Sequence, residues 1–473
     1  MKWDKMQEGK QPSRRLSPSQ MIIRLKARIS LRRKRRLSPS RIIILGFAAA
    51  ILIGSLLLML PISARNGRGA DFADALFTAV SAVCVTGLVV QDTASYWSVF
   101  GQSVILLMIQ IGGMGVVTVA AAISAASGRK ISLRQRSTIQ EAVSAPKMDG
   151  IVRLTGFIVK MTAIFEIAGA AVMAPAFCRE FGLVKGIWYA VFHSVSAFCN
   201  AGFDLMGCRE PYSSLTYFVS EPSVNIAVMT LIIVGGMGFT TWDDVKAHKY
   251  HIRKYRMQSK VVLTAAIFLI SLPACWFFFF EFSQEPLGER VLSSLFQSVT
   301  TRTAGFNTAE LTRLSGNGTA VMIFLMLVGG APGSTAGGMK TTTLAVMVST
   351  AVSVFRRREH TRFFGRRIGE DVVRSAAAVF TLYLTLFLSG GFVISCIERL
   401  PLSVCLFETA SAMGTVGLTL GITPELGLIS RGILIFLMYI GRIGGLTLIF
   451  AASPGSQTGA NTGRLPQEKL TVG

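Results

Sequence analysis

Four stretches of this chain place a glycine behind a run of small, hydroxylated and apolar residues, a pattern suited to stripping water from a metal ion. They read LFTAVSAVCVTGLV from Leu76, VFHSVSAFCNAGFD from Val191, LFQSVTTRTAGFNT from Leu295 and LFETASAMGTVGLT from Leu406. Their glycines, Gly87, Gly202, Gly305 and Gly417, are spaced by 115, 103 and 112 residues, and the third stretch is one residue shorter between its Phe and its Gly. Glycine adopts dihedrals barred to other residues, so consecutive carbonyls can face one way and replace an ion's hydration shell. Carbonyl oxygen is partly negative, so the expected cargo is a cation. The triplets that would supply the oxygens are Val85-Thr86-Gly87, Asn200-Ala201-Gly202, Thr303-Ala304-Gly305 and Thr415-Val416-Gly417. The last matches the first three residues of the TVGYG potassium filter. Leu88, Phe203, Phe306 and Leu418 follow the glycines, so none has that filter's second glycine, which predicts a shorter filter and looser discrimination against sodium. Asp204 and Asn307, two residues beyond their glycines, either draw cations to the mouth or brace the loops.

Such loops need elements that hold them at membrane depth. Before each lies an apolar run (42–62, 158–176, 261–282, 376–397), and after each an apolar run broken by small residues. The breaks read IGGMG from Ile111, VGGMG from Val234, VGGAPG from Val328 and IGRIGG from Ile440. Non-helical backbone survives in a bilayer only where protein buries it or it lines a water-filled path. The expected architecture is an all-α integral membrane protein of four tandem helix, pore loop, helix repeats. Eight spanning helices and four re-entrant pore helices would surround a pseudo-fourfold pore. The expected boundaries are a basic segment 1–41, repeats at 42–127, 128–246, 247–355 and 356–452, and a tail 453–473. Gly112, Gly115, Gly235 and Gly238 are read as sites of close helix packing.

The third repeat departs from the pattern. Its last apolar run is interrupted by Gly329-Gly330-Ala331-Pro332-Gly333-Ser334-Thr335-Ala336-Gly337-Gly338-Met339-Lys340-Thr341-Thr342-Thr343. At about 1.5 Å per residue the 11 residues 344–354 cover only about 16 Å, so the helix must break at mid-depth in a flexible loop. Proline removes a donor and glycine weakens the helix there. Such a loop is expected to lie in the ion path as a gate, with Gly330, Pro332, Gly333, Ser334, Thr335, Gly337, Gly338 and Lys340 as its residues. Arg442 falls inside the fourth repeat's last apolar run, where a fixed positive charge would raise a barrier to cations or pair structurally. Lys340 either acts similarly or reaches the cytoplasmic interface. Glu166 and Lys160 are read as structural or interfacial.

Composition agrees with a bilayer: 51% of the 473 residues are hydrophobic and 15% charged, with a mean hydropathy of +0.53. The net charge of +23 is confined to residues 1–41, 128–153, 243–260 and 356–374, which hold 33 of the 48 basic and 9 of the 25 acidic side chains. If two crossings separate each pair of neighbours, all four lie on one face, which the positive-inside bias makes cytoplasmic together with the amino terminus. Attraction to anionic lipid is their expected role beyond topology, and nothing resembles a nucleic-acid-binding motif. Seven scattered cysteines and four dispersed histidines offer neither a disulfide framework nor a metal-ligand cluster. No phosphate loop or nucleophile elbow suggests an enzyme, and no cofactor is expected.

The four loops, and CNAGFD, TRTAGFNT and GTVGLT in particular, resemble the KtrB/TrkH superfamily of potassium transporters over residues 42–452. One spanning segment before the first loop makes the chain more similar to the KtrB type. The resemblance implies potassium uptake at the cell membrane, and it implies that the interrupted segment is an intramembrane gate beneath the filter with the arginine at 442 against it. It further implies a homodimer seated on a cytosolic ring of nucleotide-binding, KtrA/TrkA-like regulatory subunits. Whether sodium is coupled or modulates stays open. The rival reading is a cation-coupled carrier with alternating access, though such carriers often have inverted repeats, whereas four units of two crossings share one orientation.

Overall fold

The computed structural model describes residues 38–127, 131–144, 150–445, 447 and 448. The basic segment up to residue 37 and the tail 453–473 lie outside the described residues. From Pro39 on, a long apolar helix, a short buried helix, an irregular loop and an interrupted helix follow one another four times.

In the first repeat these are α1 (Pro39–Leu58), α2 (Phe72–Val83), then α3 (Val99–Met114) and α4 (Val116–Ala126). A connecting helix α5 (Leu133–Val143) starts at a capping box in which Ser132 and Gln135 exchange hydrogen bonds. The second repeat has α6 (Ile151–Phe181), α7 (Leu183–Phe198), α8 (Pro222–Gly236) and α9 (Phe239–His248). The third has α10 (Met257–Trp276), α11 (Leu287–Thr300), α12 (Gly316–Leu327) and α13 (Thr341–Phe355). The fourth has α14 (Glu370–Glu398), α15 (Leu402–Gly414) and α16 (Leu428–Ile443). Serine hydroxyls start two of the interrupted helices: Ser98 accepts the Gly101 N–H and Ser315 that of Gly318.

The long helices α1, α6, α10 with its π-helical extension to Glu281, and α14 are each long and apolar enough to cross a membrane. They bury about a third or less of their apolar length inside the protein, and Ile53, Ile167, Ile267 and Phe392 are among the exposed side chains. An apolar exterior of this kind is covered by lipid. The short helices are the reverse. Phe77, Phe192, Phe296 and Phe407, at one register of the four stretches, have no exposed surface. The fourth repeat closes on the first: Arg431 on α16 pairs with Asp74 on α2 at 2.9 Å, and the Tyr439 hydroxyl donates to the Ile44 carbonyl at 2.8 Å.

Eight continuous spanning helices are not what forms. The second helices of the first two repeats bend by 93° between α3 and α4 and by 96° between α8 and α9. The hinge glycines Gly115 and Gly238 have φ of +85°, and Gly444 ends α16 with φ of +89°. A left-handed residue ends the helical hydrogen-bond ladder however apolar its neighbours are. Interruption of the second helix is therefore common to all four repeats, and the third differs in the length of its break. The packing expected of Gly112 and Gly235 is present as well. A Cβ at either position would collide with the Val83 or Phe198 carbonyl at the end of the short helix beside it.

Candidate functional site

At the end of each short helix the backbone turns left-handed, at Val85 (φ 51°), Asn200 (57°), Thr303 (75°) and Thr415 (51°). Two residues on it does so again, at Gly87 (90°), Gly202 (69°), Gly305 (81°) and Gly417 (97°). The intervening Thr86, Ala201, Ala304 and Val416 are not left-handed. Such alternation turns successive peptide groups to the same side, where an extended strand would alternate them.

The loops are held from behind by residues that sequence reasoning missed. The carbonyls of Ser81, Ser196 and Ser411 accept the N–H of Thr86, Ala201 and Val416, each at 2.8 Å. In the third repeat the Thr300 carbonyl accepts from Ala304 at 2.9 Å, one residue nearer along the chain, as its missing residue requires. The hydroxyls of Ser81 and Ser411 accept from Gly87 and Gly417 at 3.0 Å. That of Ser196 donates to the Phe203 carbonyl at 2.7 Å, and that of Thr300 to the Phe306 carbonyl. A signal was present: Ser or Thr stands four residues after Phe in all four stretches.

The four loops meet. A Cβ placed on Gly87 would lie 2.5 Å from the Ala201 carbonyl oxygen, and one on Gly202 2.6 Å from that of Ala304. One on Gly305 would strike the Val416 carbonyl oxygen, and one on Gly417 that of Thr86. Each glycine thus abuts the carbonyl before the next repeat's glycine, and the fourth returns to the first, closing a ring. All four glycines line an open cavity of about 260 Å³, together with Asp92, Asp204, Glu210, Glu310 and Asn307. Asp204 and Asn307 brace their loops while facing it: Asp204 Oδ1 accepts the Met206 N–H at 2.9 Å, and Asn307 Nδ2 donates to Ala309 at 3.1 Å.

On the other side of the ring lies segment 328–340. Its ends pair, with Gly329 N–H on the Met339 carbonyl at 2.8 Å and Thr341 N–H on the Gly330 carbonyl at 3.0 Å. Ala331 and Thr335 N–H donate to Gly236 and Gly235 at 2.9 and 3.2 Å, and the Gly333 carbonyl accepts from Phe239 at 2.8 Å. Gly338 N–H donates to Gly441 at 3.0 Å. The break is therefore not a loose connection, as expected from its glycines, but is bonded across to the broken helices of the second and fourth repeats. Pro332 has no N–H to place, and Gly333 and Gly338 take φ of +64° and +65°. The segment also touches the ring's lower residues: Asn200 Nδ2 donates to Thr335 Oγ1 at 2.7 Å and Gly337 packs on Thr415. Within the segment, Ser334 Oγ donates to the Ala331 carbonyl at 2.7 Å.

Both candidate charges are spent on this segment. The Arg442 guanidinium donates to the carbonyls of Thr335, Gly112 and Gly113, the last at 3.0 Å. Lys340 Nζ turns back to Ala336 O at 2.7 Å and Gly337 O at 3.4 Å, so it does not reach outward to an interface. Arg442 occupies the register held by Gly113, Gly236 and Gly330 in the other repeats. With Glu141 the two charges line a cavity of about 120 Å³. Glu166 accepts from Gln110 Nε2 at 3.2 Å, and Lys160 is exposed.

Residues 37–460 match the cation transport protein family TrkH. The chain belongs to the TrkH family. Its relatives include the potassium/sodium uptake protein NtpJ of Enterococcus hirae, 38% identical over 93% of this chain and 98% of that one. The Ktr system potassium uptake protein B of Bacillus subtilis is 36% identical, over 89% and 95%. The fold is shared with the potassium transporter TrkH from Vibrio parahaemolyticus, at a TM-score of 0.72 and 20% identity over 89% of this chain and 86% of that one. TrkH proteins are cation transporters and not enzymes, and the apolar helices make this member a multi-pass membrane protein.

Proposed function

We propose that this chain is the translocating subunit of a potassium uptake system in the cell membrane. The cation passes through the ring of four loops as through a pore, and segment 328–340 gates it from below. The observation that carries this reading is the ring itself: four glycines, each against the carbonyl of the next repeat, facing an outer cavity rimmed with carboxylates. Converging carbonyls replace a cation's hydration, and one ring of triplets offers few sites, consistent with modest discrimination against sodium. Potassium is named for the relatives at 34% to 38% identity, one of which is named for sodium also. Sodium's part, as cargo or modulator, belongs to the same proposal. The Ktr relatives are named as parts of a system, which supports a partner subunit. A homodimer on a nucleotide-binding cytosolic ring is the assembly proposed, with the amino terminus cytoplasmic.

The test is potassium flux into liposomes holding the purified protein. Flux that saturates, prefers potassium to sodium and needs no counter-transported ion is expected. Strict stoichiometric exchange would favour the alternating-access carrier. In the same assay Arg442→Gln, which releases Thr335 from Gly112 and Gly113, is expected to raise flux by about tenfold or more, because charged hydrogen bonds of this kind hold about 1.5–3 kcal/mol. Flux at or below the wild-type level would remove the arginine from the gate.

A further inference from the structure

One position on the short helices changes from repeat to repeat, yet it is buried in all four. Directly after Phe77, Phe192, Phe296 and Phe407 stand Thr78, His193, Gln297 and Glu408, none more than 1% exposed. Glu408 Oε1 accepts the Leu420 N–H at 3.2 Å and the Thr419 hydroxyl, and its Oε2 accepts the Thr423 hydroxyl at 2.8 Å. His193 makes the equivalent bond with a ring nitrogen. Its Nδ1 lies 2.7 Å from the Tyr189 carbonyl and must carry the proton, which leaves the Nε2 lone pair to accept the Leu205 N–H at 3.3 Å. Leu205 and Leu420 hold one register, three residues beyond Gly202 and Gly417. By contrast, Thr78 Oγ1 and both amide atoms of Gln297 have no hydrogen-bond partner among the described residues. The first and third loops are tied instead to the segment between α7 and α8. There the Tyr212 hydroxyl donates to the Val90 carbonyl at 3.2 Å, and the Asn307 N–H donates to Ser214 Oγ at 3.1 Å.

We propose that Glu408 and His193 are positioning residues for ion selection, each anchoring to its own short helix the backbone that leaves its loop's glycine. This rests on the ring of four loops being the ion's path. Each glycine abuts the next repeat's loop, so the second and fourth loops face each other across the ring. Anchoring that pair fixes the width of the ring along one diagonal. Three residues separate each glycine from its anchored amide, so a shift of the Leu205 or Leu420 amide is passed to the carbonyls of Gly202 or Gly417. Selection depends on where such oxygens stand. A carboxylate with no exposed surface is costly unless it is hydrogen-bonded, and Glu408 spends both its oxygens on the stretch above Gly417. Removing it strands one amide and two hydroxyls and frees that stretch.

The test is competitive potassium and sodium flux in liposomes, read per inserted protein. Glu408→Ala is expected to lower the preference for potassium about fivefold, roughly the worth of one net hydrogen bond. Glu408→Gln keeps an acceptor for the Leu420 N–H and is expected to restore the wild-type preference. His193→Phe keeps a ring and removes the acceptor, so it gives the same loss as Glu408→Ala even where that variant fails to insert. Gln297→Met, at the same register but with no bond to lose, is expected to leave the preference unchanged. A role confined to folding would lower the amount inserted and leave the preference per protein as it was, which overturns the proposal. A loss in Gln297→Met equal to that in Glu408→Ala overturns it too. Gly305→Ser in the same assay keeps the two readings apart. A lowered preference there, with none in Glu408→Ala and His193→Phe, overturns the positioning alone; no change in any of the three overturns the pore and the positioning with it.

Discussion

Serine in place of Gly305 is expected to lower the preference for potassium over sodium by about tenfold or more while the protein stays in the membrane. Two effects combine at this position. With φ of +81°, any residue with a Cβ is strained by roughly 1–2 kcal/mol. The new Cβ also collides with the Val416 carbonyl oxygen of the next repeat, so that oxygen must move. Selectivity depends on the number and placement of such oxygens, and the tenfold corresponds to about 1.4 kcal/mol of differential binding. Gly182 separates the two effects. Its φ is +80°, yet nothing lies within 4 Å of where its Cβ would be. Gly182→Ser therefore carries positive-φ strain without touching the ring, and its ion preference should equal that of the wild type. Competitive flux of potassium and sodium in liposomes reads both variants. Equal preferences for Gly305→Ser and wild type would sink the pore assignment.

Much of this was legible because it repeats. The glycines, the Phe four residues before each Ser or Thr, and the apolar run before each stretch recur at one register, and recurrence is visible without any structure. The bends were not. Residues 104–127 carry no charged side chain, and composition carries no record of the dihedral that Gly115 adopts, so the run reads as one helix. Contacts between repeats were equally hidden. That Gly87 meets Ala201 follows from how four units close, which no single unit encodes. Arg442 was singled out as a charge in an apolar run, but its partners are carbonyls of Gly112, Gly113 and Thr335, and carbonyls are the same at every residue.

Deleting residues 331–340 is expected to raise cation flux by roughly thirtyfold with little change in ion preference. The segment is bonded through Ala331, Gly333, Thr335 and Gly338 to the second and fourth repeats. A net hydrogen bond contributes about 1 kcal/mol, so a closed state that depends on only two of them is favoured by about 2 kcal/mol, the origin of the thirtyfold. The chain can be rejoined with little distortion, since the Gly330 carbonyl oxygen already lies 3.0 Å from the Thr341 nitrogen. Preference should survive because the ring's own bonds, from Ser81, Ser196, Thr300 and Ser411, are all made above the segment. Within the four ring triplets, the side chain of Asn200 loses its hydrogen bond to Thr335. Flux equal to wild type, with insertion verified, would make the segment a passive brace. A rise in flux accompanied by loss of preference would instead mean that Thr335 and Gly337 support the ring from below, and that gate and filter are one mechanical unit.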